Sequence, residues 1–200
     1  MRIISGKAKG IRLCMLRNER TSPILDRVKE SLFNILGDLV VDSSVLDLFA
    51  GTGTSGIEAL SSGAKRCLFV DNSTLSVQVI KRNLNSTKLF TSGVALKKNV
   101  FSLLPFLKGG RLGFDLIFVT PPYKILNTGC KDKEKIFSFL DACASEKILN
   151  SNGIIVLQHH KVQLISQEEF ACLRLVDQRF YGNTGLTLLE KSLHADTFEN

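Results

Sequence analysis

The chain has 200 residues, of which 44% are hydrophobic, and a formal net charge of +7 at pH 7. This length is typical of one compact domain with a single hydrophobic core. No apolar run approaches the ~20 residues of a membrane span, and the first residues lack the apolar segment of a secretory signal. We therefore expect a cytoplasmic protein without a membrane anchor.

The cysteines and histidines give no sign of a metal site. The five cysteines are scattered, odd in number and without a Cys-x-x-Cys pair, which also opposes a disulfide framework. His159 and His160 are consecutive, so in a strand their side chains would point to opposite faces. We expect no bound metal.

The positive charge is concentrated near the N-terminus. Residues 1–30 carry eight basic and three acidic side chains and so account for most of the net charge. A concentrated positive patch is typical of proteins that bind phosphate backbones, although many basic surface segments are only solvated.

The first 40 residues are predicted to form a small N-terminal appendage. Residues 2–16 alternate short apolar runs with glycine and lysine, which predicts a β-hairpin with a basic turn. Ser22-Pro23 is a helix start signal. In the helix that follows, we expect a buried apolar face with Arg27 and Lys29 outside; the residues at helical spacing are Val28, Leu32, Ile35, Leu36 and Leu39.

From Val45 onward, strands alternate with helices, which implies a mostly parallel sheet covered on both faces. The last two strands are close enough to form an antiparallel hairpin around Gly182-Asn183. We predict an α/β domain at residues 41–192 and a frayed tail at 193–200. The predicted strands cover 45–49, 66–71, 94–99, 114–120, 153–160, 173–182 and 185–191. The predicted helices cover 73–85, with Leu75 in the core, and 101–107 and 133–145.

The stretch VLDLFAGTGTSG, from Val45 to Gly56, joins a buried strand to a helix through a glycine turn. Gly51 and Gly53 allow positive φ and have no Cβ to obstruct a ligand, and free amides at a helix start favour a polar or anionic group. Asp71 ends the next strand, where a carboxylate can accept hydrogen bonds from a ribose diol. This pattern predicts a nucleotide-type cofactor, with a purely structural turn as the alternative.

Asp47 bears on the choice of cofactor. A nicotinamide dinucleotide brings a pyrophosphate to the turn, so an acid inside the preceding strand would be unhelpful. S-adenosylmethionine has no phosphate, and its ammonium and sulfonium groups are cationic, so Asp47 would favour it. The alternative is a buried acid that caps nearby amides.

The stretch FDLIFVTPPY ends another buried strand with two prolines. The prolines fix φ, remove two amide donors and hold Thr120 extended, so we expect carbonyls that face outward without a competing N–H group. Such acceptors suit an exocyclic amino group, and Tyr123 offers a face on which a flipped-out base could stack, worth ~1–3 kcal/mol. The alternative is a strand terminator followed by a core tyrosine.

Ligands of parallel sheets bind beyond the carboxyl ends of the strands. We therefore expect the strand ends at Gly51, Asp71 and Thr120 to act together. Asn99 closes a further strand and could bond an adenine edge through its amide, or simply terminate the strand.

These motifs resemble those of class I S-adenosylmethionine-dependent methyltransferases, and more closely those of the bacterial RsmD-type ribosomal RNA guanine-N2 methyltransferases. The resemblance covers nearly the whole chain and is carried by MRIISGKAKG, DLFAGTGTSGIEAL, TPPY and YGNTGLTLLEK. It implies a Rossmann-like fold with a seven-stranded, mostly parallel sheet. It also implies a monomer that uses S-adenosylmethionine to methylate the N2 amino group of a guanine in 16S ribosomal RNA, free or in an assembling particle.

The resemblance also implies three sets of functional residues. The cofactor would be bound by Asp47, Phe49, Gly51, Gly53, Thr54, Gly56, Asp71, Asn99 and Val100. The base would be positioned for catalysis by Thr120, Pro121, Pro122 and Tyr123. RNA phosphates would be bound by Lys7, Lys9, Arg12, Arg27 and Lys29.

The chain differs from the family at a position of the catalytic tetrapeptide, because Thr120 stands where the family usually has an acid or an amide. This departure implies slow methylation, or a methyltransferase fold retained for RNA binding or ribosome assembly. Smaller departures are Ser22, Ile24 and Leu25 before the first helix, which would weaken RNA contact. In the first hairpin, Ile11 follows Gly10 where the family has arginine, and Arg12 comes next. DNA adenine or protein glutamine remain alternative planar amines, and a nicotinamide dehydrogenase would explain only the glycine turn and Asp71.

Overall fold

The computed structural model describes residues 1–16, 26–127 and 129–192. The chain divides into two compact units, Met1–Val100 and Phe101–Asn200. The predicted helix start at Ser22-Pro23 and the predicted frayed tail lie outside the described residues. None of the helices in the described part is long and apolar enough to cross a bilayer.

Helices and strands alternate along the chain until its last three strands, which follow one another without an α-helix between them. The first unit contains α1 (Asp26–Leu36), β1 (Ser44–Leu48), α2 (Thr54–Ser61), β2 (Arg66–Asp71), α3 (Thr74–Ser86) and β3 (Gly93–Lys97). The second unit contains α4 (Leu104–Gly109), β4 (Phe114–Val119), α5 (Lys131–Ser145), β5 (Leu149–His160), β6 (Leu173–Tyr181) and β7 (Thr184–Lys191).

The seven strands form one sheet in the order β3-β2-β1-β4-β5-β7-β6. β2 pairs in parallel with β1 and β3, and β4 pairs in parallel with β5. β7 is antiparallel to both β5 and β6. The predicted fold class, an α/β fold with a mostly parallel sheet and a C-terminal antiparallel hairpin, is therefore confirmed.

The first strand is buried on both faces, as is usual for a parallel sheet covered by helices. All five residues of β1 are buried, and Val45, Leu46 and Leu48 are completely inaccessible to solvent. α2 and α3 both pack against β2. The turn that follows β1 therefore starts from a rigid, fully packed element.

Residues 1–16 differ from the predicted β-hairpin. Arg2 and Arg12 form a single antiparallel bridge, and Gly6–Ala8 is a 3-10 turn. The amides of Ile4 and Ser5 donate to the carboxylate of Glu58, at 2.9–3.1 Å. Backbone bonds from Ile3 to Ile11, at 3.0 Å, and from Leu13 to Met1, at 3.1 Å, keep a short antiparallel pairing. It does not extend further because the Ile4 and Ser5 amides bond to α2.

Two further predictions were wrong in detail. The helix expected at 101–107 begins only at Leu104, after a 3-10 turn at Val100–Ser102, because Pro105 has no amide to donate and fits the first helical turn. Leu75 and Leu39, expected to be apolar face residues, are 65% and 51% exposed. Leu39 lies beyond the end of α1, so helical spacing does not apply to it.

Candidate functional site

Residues 49–53, which we name the glycine turn, connect β1 to α2. Phe49, Gly51 and Gly53 have φ values of 55°, 54° and 76°, so the prediction of positive φ at the two glycines is confirmed. A Cβ on Gly51 would meet only the Phe49 carbonyl oxygen, at 4.0 Å, whereas one on Gly53 would lie 3.1 Å from Ile80. The turn is therefore open on the Gly51 side and packed on the Gly53 side.

Asp71 holds the glycine turn in place. Its Oδ2 accepts a hydrogen bond from the Gly51 amide at 2.9 Å, and its Oδ1 accepts one from the Ser73 amide at 2.8 Å. The residue is half-buried, and each carboxylate oxygen can accept a second hydrogen bond. Asp71 thus has a structural task that the sequence did not reveal, and it keeps the capacity to bond a diol.

Asp47 lies beneath the turn and is almost completely buried. Its Oδ2 accepts a hydrogen bond from the Gly56 amide at 3.0 Å, so the alternative of an amide-capping acid is observed. Burial raises the pKa of Asp47 to about 8, opposed by the Gly56 bond and reinforced by the charge of Asp71. A cation bound nearby would favour the ionised form of this carboxyl group and return its pKa toward the usual range.

Gly56 has a packing role that was not predicted. It lies within α2, where a Cβ would come within 2.3 Å of the Phe69 ring and 2.5 Å of the Cys67 sulfur. Its amide is already bonded to Asp47. Gly56 therefore allows α2 to pack closely against β2, and its contact with a cofactor stays a prediction.

The other predicted cofactor residues lie around the ends of the same strands. The Thr54 hydroxyl is 2.9 Å from the Thr52 hydroxyl at the start of α2. Asn99 follows β3 and is exposed, and Val100 is buried. Their contacts with a cofactor stay predictions.

The basic N-terminal segment, residues 1–16, presents cations to solvent. Lys7, Lys9 and Arg12 are exposed, and so is Arg27 on α1. The segment contains no acidic residue, so its positive charges reinforce one another. Their contact with RNA phosphates stays a prediction that their exposure permits.

Lys29, in contrast, was wrongly expected to be exposed. Its side chain is completely buried, and its ammonium group lies 2.8 Å from Oε2 of Glu58 and 2.7 Å from the carbonyl oxygen of Arg2. Glu58 is equally buried and also accepts the amides of Ile4 and Ser5. Lys29 is therefore part of the anchor that fixes the N-terminal segment to α2, and it cannot bind a phosphate.

We expect Gly6→Ala to displace the N-terminal segment. Gly6 has a φ of +73°, and a Cβ there would lie 1.7 Å from the Ser61 carbonyl oxygen. Gly10→Ala is the matched control, since Gly10 has a φ of +86° but open space around it, and it should cost only the backbone strain of about 1–2 kcal/mol. Thermal unfolding and limited proteolysis of the segment compare the two variants. Equal melting temperatures and equal protease resistance would show that the segment does not pack on α2.

Residues 120–123, which we name the proline corner, lead from β4 into a 3-10 turn at Tyr123–Leu126. The carbonyl of Pro122 accepts the Ile125 amide at 2.9 Å, and the carbonyl of Tyr123 accepts the Gln163 side-chain amide. Because the chain bends back at this turn, the expectation of a carbonyl without a competing N–H group is wrong for Pro122. It stays a prediction for Thr120, which is half-buried, and for Pro121.

The Tyr123 ring is held by residues that the sequence did not reveal. Its hydroxyl lies 3.3 Å from Nε2 of Gln158 and 3.4 Å from the Thr184 hydroxyl. The ring meets His160 edge-on, with 5.5 Å between centroids. Tyr123 is half-buried, so part of the ring remains available for stacking. The sequence feature that could have indicated Gln158 is its position, as a polar residue that follows the apolar run of a predicted strand.

The predicted residues thus form two groups. Asp47, Gly51 and Asp71 lie at the glycine turn in the first unit, and Thr120 and Tyr123 lie at the proline corner in the second unit. Within residues 1–16, 26–127 and 129–192, no cluster of three or more His, Cys, Asp or Glu side chains could hold a metal ion.

The family described as conserved hypothetical protein 95 matches residues 1–190. The chain is 34% identical to a putative rRNA methyltransferase of Bacillus subtilis, YlbH, over 96% of this chain and 99% of that relative. It is 32% identical to ribosomal RNA small subunit methyltransferase D of Haemophilus influenzae, over 92% and 94% of the two chains.

Among solved structures, the putative methyltransferase yhhF of Escherichia coli superposes with a TM-score of 0.78 at 27% identity, covering 96% of this chain and 98% of that one. The fold and the sequence therefore point to the same group of proteins. The chain belongs to the conserved hypothetical protein 95 family, the family of the RsmD-type ribosomal RNA methyltransferases.

Proposed function

We propose that the protein transfers a methyl group from S-adenosylmethionine to the N2 amino group of a guanine in small-subunit ribosomal RNA. The observation that carries the proposal is the glycine turn, whose open side lies at Gly51 next to the acidic pair Asp47 and Asp71. The similarity to relatives that are named ribosomal RNA methyltransferases supports ribosomal RNA as the substrate class.

The residues at the glycine turn fit this cofactor, which supplies a methyl group activated on a sulfonium. The buried carboxyl of Asp47 would favour its cationic amino acid end. Asp71 would accept hydrogen bonds from the ribose hydroxyls while it continues to hold the Gly51 amide. Asp47, inside the strand that leads into the turn, would be unhelpful to a pyrophosphate, which argues against a dinucleotide.

The proline corner would orient the guanine. The Thr120 hydroxyl can accept one hydrogen bond from the amino group, and Tyr123 can stack on the base. The hydroxyl group of Tyr123 is bonded to Gln158 and its backbone carbonyl to Gln163, so the ring is held at both its tip and its backbone and has a fixed orientation. Orientation of this kind contributes much of the acceleration of a displacement reaction. As the N–CH3 bond forms and the S–CH3 bond breaks, S-adenosylhomocysteine would leave and the amino nitrogen would become cationic until its proton passes to water. Thr120 has no negative charge with which to stabilise that cation.

Binding of S-adenosylmethionine is expected to release a proton from Asp47. With a pKa of about 8, this carboxyl group is mostly protonated at pH 7, and a cationic ligand beside it would drive its ionisation. Titration calorimetry at pH 7 in buffers of different ionisation enthalpy counts the protons released. We expect the wild type to release up to about one proton more than Asp47→Asn. Equal proton counts for the two proteins would show that Asp47 does not respond to the ligand.

The nucleoside product tests the proposed function. The protein is incubated with S-adenosylmethionine and either a 16S transcript or small-subunit particles, and the digested RNA is examined by mass spectrometry. We expect N2-methylguanosine from the wild type and none from Gly51→Asp, which fills the open side of the turn and places another carboxyl group near Asp47 and Asp71. A methyl group on another base or position would refute the guanine-N2 assignment.

Thr120 favours a second candidate, an RNA-binding or ribosome-assembly protein that keeps the methyltransferase fold. Such a protein would bind the cofactor and the RNA without turnover. A gain of activity on restoring an acid at position 120 separates a slow enzyme from this second candidate.

A further inference from the structure

Asn83 is a buried polar residue of α3 to which the proposed function assigns no task. Its side chain is completely inaccessible to solvent. A buried amide is costly unless its hydrogen bonds are made, so the partners of Asn83 indicate what it serves.

The first partner is the end of the basic N-terminal segment. Oδ1 of Asn83 accepts the backbone amide of Cys14 at 2.8 Å, and Nδ2 donates to the Cys14 carbonyl at 3.2 Å. The side-chain amide thus pairs with both backbone groups of one residue, as an adjacent strand would. This contact lies two residues after the exposed Arg12, so it fixes the segment close to its cations.

The second partner is the glycine turn. Nδ2 of Asn83 also donates to the carbonyl of Thr52 at 2.9 Å. The same peptide group is held on its other side, because the Gly53 amide donates to the Ala50 carbonyl at 2.7 Å. Thr52 lies between two glycines, so without these bonds the peptide would rotate with little steric resistance.

We infer that Asn83 is a positioning residue that sets both the glycine turn for cofactor binding and the N-terminal segment for RNA binding. The inference rests on the proposed function. One planar amide makes both sets of hydrogen bonds, so its removal releases the glycine turn and the N-terminal segment together. A single substitution at position 83 should therefore weaken the binding of both ligands.

The test measures two affinities in four proteins. S-adenosylhomocysteine is titrated by calorimetry, and a 16S transcript is titrated by filter binding. The proteins are the wild type, Asn83→Leu, Gly51→Ala and Ser61→Ala. Ser61 is the control for the segment alone, since its hydroxyl accepts the Ala8 amide at 2.9 Å and donates to the Ser5 carbonyl at 2.6 Å.

Asn83→Leu is expected to bind each ligand about tenfold more weakly, which corresponds to the loss of one or two hydrogen bonds on each side. Ser61→Ala should weaken only RNA binding, and Gly51→Ala only cofactor binding. If Asn83→Leu does not fold, Asn83→Asp is measured in its place. It keeps the acceptor for the Cys14 amide, so the segment loses one of its two hydrogen bonds to position 83, whereas the glycine turn loses its single bond from the side chain to Thr52. It should lose more affinity for S-adenosylhomocysteine than for RNA.

Normal cofactor binding by both Asn83 variants would overturn the inference and reduce Asn83 to an anchor of the segment. Unchanged RNA binding by Asn83→Leu would overturn it as well. A wild type that binds neither ligand would instead refute the proposed function, so the two failures are distinguishable.

Discussion

Thr120→Asp is expected to raise kcat for methyl transfer by ~10²–10³-fold, because a carboxylate can stabilise the amino nitrogen as it becomes cationic. A preorganised charge of this kind lowers an activation barrier by about 3–4 kcal/mol. Thr120 is half-buried, so the new carboxylate remains partly hydrated and can be accommodated without repacking the strand. Single-turnover methylation of small-subunit particles measures the change.

Thr120→Asn and Thr120→Val are the matched controls. Asparagine supplies a hydrogen-bond acceptor without a charge, and valine has nearly the shape of threonine but no hydroxyl group. We expect the order of rates Asp, then Asn, then Thr, then Val, with unchanged affinity for S-adenosylmethionine. If Asp and Asn give the same rate, charge has no part in the step. If none of the variants methylates RNA, the proline corner is no longer a catalytic site.

Lys29→Met is expected to lower the free energy of unfolding by about 3–5 kcal/mol, the usual cost of removing one partner from a buried ion pair. The substitution leaves Glu58 completely buried without its cation, and it removes the donor to the Arg2 carbonyl. The midpoint of urea denaturation should fall accordingly. Cysteine oxidation is avoided by a reducing agent, since the described cysteines are all free thiols.

Two further variants make this prediction specific. Lys9→Met removes an exposed lysine of the same segment and should change stability by less than about 0.5 kcal/mol. In the double variant Lys29→Met with Glu58→Gln, no unpaired buried charge remains at this pair, and the glutamine oxygen can still accept the Ile4 and Ser5 amides. We expect this double variant to be more stable than Lys29→Met alone. Equal losses for Lys29→Met and Lys9→Met would mean that Lys29 is not buried in solution.

The glycine turn could be predicted because its cause is local. Positive φ at Gly51 and Gly53 follows from the residue type. The buried strand, the turn and the helix follow one another directly along the chain, so a short stretch of sequence is enough to predict them. The parallel sheet followed from the same alternation.

Lys29 was misplaced because its partner is distant in sequence. Helical spacing correctly showed which face of α1 is apolar, but Lys29 lies on that face, beside the buried Val28. Glu58 is likewise a charge within a helix whose eight residues are all buried. The sequence therefore did contain a sign of a buried ion pair: Lys29 lies among the apolar residues of α1, and Glu58, of opposite charge, lies among those of α2.

The partners of Tyr123 were missed for a similar reason. Gln158 and Thr184 come from strands that follow the proline corner by 35 and 61 residues. Their contacts depend on the antiparallel pairing of β5 with β7, and residue pattern alone does not fix which side chains meet across such a pair.

Single-turnover transfer tests the central claim, methylation of small-subunit ribosomal RNA by this chain, most directly. Protein in excess over RNA is loaded with methyl-labelled S-adenosylmethionine and mixed with small-subunit particles from cells that lack the protein. We predict that the label moves to the RNA, approaches one methyl group per particle and is recovered as N2-methylguanosine. Label that stays on the cofactor while both ligands are bound would contradict the claim.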